Sequence, residues 1–189
     1  MRKILPLLLI VLFTSTFTFS QSKTNQAIAS QIKSLNAEKY LQIDYVKSVG
    51  VTKILGFGEN FGRDQVKKNG LSELSFGITF NYAGDKLTSV PEAFIMTFWV
   101  KSGKPKFAQS HGLKLMDGAE TLDLGDARYA AKSNEKGMEF LNFVISRENL
   151  MKIAGSGSSA QIMLGDSEFK FSPEHIRLFK NILAVSSLP

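Results

Sequence analysis

Alternation between apolar and polar residues runs through most of the chain. From Leu74 to Tyr82 the side chains of Leu74, Phe76, Ile78, Phe80 and Tyr82 fall on one side of an extended segment, and Ser75, Gly77, Thr79 and Asn81 on the other. A period of two predicts a strand with one face for the core and one small, polar face. Lys39 to Ser48 alternates in the same way, with Leu41, Ile43 and Tyr45 set against Tyr40, Gln42 and Asp44, and Val51 to Phe57 is its expected partner. Ala93 to Lys101 is apolar at positions of both parities. That pattern predicts a central strand covered on two sides, with Trp99, the single tryptophan, in the core. Met138 to Ser146 is a further strongly apolar strand.

Turn residues divide the rest. Asp117-Gly118 and Gly125-Asp126 separate short strands, and across the first of these turns Leu113 and Leu115 match Leu122 and Leu124. Residues 133–137 read as a turn, and Ala160 to Phe171 as a hairpin turning at Gly165 to Ser167. The period lengthens in three places. Residues 21–36 carry Ile28, Ile32 and Leu35 at helical spacing. Ser146 is a natural cap for a short helix from Arg147 to Ala154, with Gly155 placed to end it in a left-handed conformation. Ser172 and Pro173 start the last helix, whose apolar face is Ile176, Leu178, Phe179, Ile182 and Leu183. The expected fold is therefore α+β and rich in β: an antiparallel β-sandwich or partly open barrel, with a short helix before the last hairpin and a C-terminal helix packed on the sheet.

The first twenty residues change the picture of where this domain works. Arg2 and Lys3 precede an apolar run from Ile4 to Phe13, and a small polar tail ends at Thr18, Phe19 and Ser20. This is the layout of a secretory signal peptide, expected to be cleaved after Ser20 and to leave residues 21–189 as one domain. The run is too short to span a bilayer, so no transmembrane anchor is expected after cleavage. A periplasmic or secreted location follows. The chain has no cysteine, so it has no disulfide or thiolate metal site, and the core alone must stabilise it. Two of the 23 basic residues and none of the 17 acidic ones lie in the leader, which puts the remaining domain at +4. The densest cationic group, Lys101 to Lys106, reads as a solvated turn, and no nucleic-acid partner is expected.

Few residues suggest chemistry. Ala154 to Gln161 reads AGSGSSAQ, but the order helix, loop, strand is the reverse of a phosphate cradle, and the spacing of a hydrolase elbow is missing. The hairpin at Gly165 nevertheless brings residue 160 near residue 172, so Ser158 or Ser159 is a candidate to meet His175 as an activated nucleophile. The plainer reading puts His175 on the apolar face of the last helix, bonded to a carbonyl. Gly56 to Gly62, GFGENFG, resembles a loosened dinucleotide fingerprint but reads as turn glycines around packed Phe57 and Phe61, and no cofactor is expected. Asp117, Glu120, Asp123 and Asp126 are the calcium candidates, at a spacing unlike that of a calcium loop. His111 and His175 alone make a poor zinc site. Phe76, Phe80, Phe94 and Phe98 are expected to fill the core, or alternatively to line a cavity for a small apolar ligand. The expected role is a non-enzymatic exported domain acting through protein or envelope contacts. Ligand carriage and Ser/His hydrolysis are its alternatives.

Overall fold

A computed structural model describes residues 25–131, 137–156 and 160–187. The expected leader, Ser158, Ser159 and most of the turn at 133–137 lie outside those residues. Ten strands form two antiparallel sheets. The larger begins as a meander of β1 (Leu41–Val46), β2 (Val51–Phe57), β3 (Leu71–Ala83) and β4 (Ala93–Ser102). The chain then leaves for β5 (Gly112–Asp117) and β6 (Glu120–Asp126) in the second sheet. It returns with β7 (Arg128–Ala131) and β8 (Met138–Ser146), so the six-stranded order is β1-β2-β3-β4-β8-β7. β9 (Gln161–Leu164) and β10 (Ser167–Lys170) complete the four-stranded sheet, ordered β10-β9-β5-β6. The two sheets make the sandwich alternative of the expected fold.

Helices α1 (Gln26–Ser34), α2 (Arg63–Lys68), α3 (Arg147–Gly155) and α4 (Pro173–Ser186) complete the domain. The core face of the large sheet is the apolar parity of each strand: Ile54, Leu74, Phe76, Ile78, Phe80, Phe94, Met96, Phe98, Val100, Leu141, Phe143 and Ile145 are all buried. α4 covers part of it, with Phe179 stacked on Phe76 at 5.3 Å between ring centroids. Leu178 lies where a side chain on Gly56 would have to go. Phe169 and Phe171, in and just after β10, meet Phe61, at 5.6 and 6.0 Å. The four phenylalanines named as a possible cavity lining pack on each other, Phe76 against Phe98 at 5.8 Å and Phe80 against Phe94 at 5.6 Å.

Several local expectations need correction. Gly155 does not end α3 in a left-handed conformation; the helix runs through it to a cap at Ser156, φ −73°. The Ser156 hydroxyl donates to the Ile153 carbonyl at 2.7 Å, which closes the helix without a glycine. Gly125, φ +90°, sits inside β6 beside a register shift between Leu113 and Lys114. It is a bulge rather than a turn, and it moves Leu124 out of register, so Leu113 faces Gly125 while Leu115 keeps Leu122. Phe57 is 40% exposed, whereas Phe61 is buried as expected. The larger correction concerns β4. It is covered on one side only: Ile95 is 38% exposed, and Thr97 and Trp99 are half-buried rather than core.

Candidate functional site

His175 occupies the first turn of α4. The Ser172 hydroxyl accepts the His175 backbone N–H at 3.2 Å, and His175 Nδ1 accepts the Ser172 N–H at 3.1 Å, a capping box closed by an imidazole. An accepting Nδ1 places the ring proton on Nε2, which donates to the Glu59 carbonyl at 2.8 Å. The ring is 1% exposed and lies against Phe61, Phe76 and Phe171 at 4.7, 5.1 and 5.8 Å. Burial holds its pKa below the ordinary 6.5, against the opposing pull of the Glu59 carbonyl. Both nitrogens are thus committed to the backbone, and neither keeps a lone pair for a hydroxyl proton. The loop end lies where the hairpin geometry puts it: the Ala160 carbonyl accepts the Phe171 N–H at 3.3 Å, one residue from the expected partner.

The acidic candidates divide between the two ends of one hairpin. Asp117 and Glu120 pair at its tip, while Asp123 opposite Lys114 is three residues, about 10 Å, further along. Asp123 accepts the Gly125 N–H at 2.8 Å, as turn and bulge aspartates do. Asp123 and Asp126 border a hollow of about 470 Å³ together with His111, Lys114 and Asp166. Among the described residues no three His, Asp or Glu side chains converge to hold a metal ion.

Glu139 is a polar residue that the apolar run of β8 conceals. Its side chain is fully buried, and its two carboxylate oxygens accept the N–H groups of Lys106 and Phe107 at 2.9 and 2.8 Å. These bonds pin the end of the Lys101 to Lys106 turn to the sheet, and the Lys106 ammonium adds a bond to the Asn69 carbonyl. The turn is therefore fastened at its base. Burial, with the Glu139 carboxylate nearby, raises the pKa of the Tyr129 phenol.

The outer face of the large sheet carries the remaining unusual chemistry. Register places Leu55 beside Thr79, Ile95 and Val144 in one row, Phe57 beside Gly77, Thr97 and Asn142 in the next, and Ser75 beside Trp99 and Phe140 in a third. Val144 is 72% exposed. Trp99 lies flat across Gly77: a Cβ there would meet its ring at 2.6 Å, so glycine is what lets the indole lie down. Three of the polar groups between these side chains bond within the sheet. Thr79 donates to the Ile54 carbonyl at 2.8 Å, Thr97 donates to Asn142 at 2.7 Å, and the Asn142 amide donates to the Arg128 carbonyl at 3.4 Å.

The chain matches no family model, no curated protein and no solved structure. Its function must be read from its own surfaces. A second apolar feature is a groove of about 510 Å³ between α1 and β1, walled by Ala29, Ile32, Leu41 and Ile43 with the exposed Lys33 and Glu38. The outer face was missed by sequence reasoning because apolar residues of both parities in β4 were taken to mean two covering layers. The usable signal lay in the count of elements. β2, β4 and β8 all carry large apolar residues on both parities, and among the described residues one further sheet and four helices are there to cover them.

Proposed function

We propose that the protein is an exported, non-enzymatic β-rich domain that acts through protein contacts made by the outer face of its six-stranded sheet. Export rests on the leader-like first twenty residues. The observation that carries the contact reading is the combination of Val144, Ile95 and Phe57, all exposed, with neighbouring Thr79, Thr97 and Asn142 groups already bonded within the sheet. Large apolar side chains gathered in the exposed rows of one sheet face are a mark of interaction surfaces. Thr79, Thr97 and Asn142 keep these bonds when water leaves, so they add little polar penalty to contact with an apolar partner. Aqueous catalysis gains nothing from such a face.

The test is a photoreactive amino acid placed at position 95 or 144 in the organism that makes the protein, with Met151 of α3, 57% exposed, as the control position. Covalent adducts with protein are expected from 95 and 144 in the extracytoplasmic fraction, and few from 151. Equal yields at all three positions, or none at 95 and 144, refute the reading.

A further inference from the structure

We infer that the occupant of the outer face is a second copy of this chain, packed sheet against sheet about a two-fold axis; the inference rests on the contact reading above. Shape is the first ground. Trp99 lies flat over Gly77, and the middle of the central row, Gly77, Thr97 and Asn142, is low between Phe57 at one end and Arg128 at the other, so the centre of the face suits the roughly 10 Å stacking of two sheets. Area is the second. The three rows and the two that bound them place twenty residues of β2, β3, β4, β8 and β7 on the face, and at about 4.8 Å by about 6.8 Å each they give roughly 650 Å² per copy. Two copies, rim included, bury about 1,300 Å², the lower end of the range for a stable specific interface.

Charge is the third ground, and it selects the partner. One end of the face is bounded by Asp44 opposite Lys53, and the other by Glu73 opposite Lys101. Each end thus carries one acid and one base. Arg128, opposite Asn142 at the β7 margin, leaves these five charges at only +1, too small a field to draw a strongly charged partner, whereas a copy turned by a two-fold meets a mixed end with a mixed end in either direction. No like-charged row opposes approach.

Sedimentation equilibrium of the purified protein tests this, comparing the wild type with Val144→Lys, Ile95→Lys and the control Met151→Lys. The wild type is expected to be a dimer at about 10 µM. Each face variant should weaken association about a hundredfold or more, because every dimer would bury two unpaired cations, and Met151→Lys should leave it unchanged. Val144 and Ile95 are already exposed, so these lysines are compatible with the folded chain. A dimer indifferent to Val144→Lys and Ile95→Lys overturns the inference. A wild-type monomer at about 100 µM also overturns it; positional adducts from 95 and 144 to another protein would then leave the contact reading standing, and their absence would remove both.

Discussion

Replacing His175 by phenylalanine separates what its ring volume does from what its nitrogens do. The substitution keeps an aromatic among Phe61, Phe76 and Phe171 but deletes the Ser172 N–H to Nδ1 bond and the Nε2–H to Glu59 bond. Two partners are left unpaired in or near the core, which costs about 2–4 kcal/mol together. Acid should expose a second effect of the native residue. Its folded pKa lies below the ordinary 6.5 because burial disfavours the cation. Below about pH 6.5 the unfolded chain therefore binds a proton that the folded chain does not. Stability rises with pH in that window, and conversely falls on acidification until the lowered folded pKa is reached. Between about pH 7 and about pH 5.5 one proton limits the slope to about 1.4 kcal/mol per pH unit. Urea denaturation across that range, for the wild type and His175→Phe, measures both effects. The variant retains every carboxylate and His111, so the difference between the two pH profiles isolates the imidazole. Parallel profiles, or a variant within about 0.5 kcal/mol of the wild type at neutral pH, would refute a buried neutral His175 bonded at both nitrogens.

Glu139→Gln keeps the shape of the β8 side chain but turns an amide NH₂ toward one of two backbone donors; urea denaturation should show a loss of about 2–3 kcal/mol, larger than for any exposed carboxylate. Gly137 has φ +77°, and a Cβ there would sit 1.8 Å from the Ser102 carbonyl oxygen, so Gly137→Ala should cost about 3 kcal/mol or more by the same assay. Gly103→Ala, at a position with open space around it, is the matched control and should be within about 0.5 kcal/mol of the wild type.

Period carried most of the architecture. The alternation from Leu74 to Tyr82 became the middle of β3 with its apolar parity buried or half-buried, and the Ser172-Pro173 start became α4 at the expected residue. Hairpin arithmetic placed Ala160 within one residue of its partner. Pairing across distance was not legible. Nothing in the run from Met138 to Ser146 says that Glu139 will find two backbone donors 32 and 33 residues away, or that the second sheet will take β5, β6, β9 and β10 while β7 and β8 return to the first. Apolar parity says which side of a strand avoids water in some state of the molecule. It does not say whether the cover comes from the same chain, and that is where Trp99 and Ile95 were misplaced.

That ambiguity also bears on function. The most deeply buried ionisable groups, Glu139 and His175, are spent on backbone partners, which makes them parts of the fold rather than reagents. A general base needs a lone pair aimed at a substrate, and a carboxylate ligand needs an oxygen free for an ion. The outer face shows the opposite condition. Its Thr79, Thr97 and Asn142 side chains are bonded, its apolar groups are not covered, and Gly77 has given up a side chain so that an indole can lie flat among them. A solvated antiparallel sheet ordinarily carries polar residues on its wet side, because they cost nothing there and prevent unwanted association. Retaining Leu55, Phe57, Ile95, Trp99, Phe140 and Val144 on that side therefore leaves hydrophobic free energy unrealised in the single chain. Only contact with another surface recovers it.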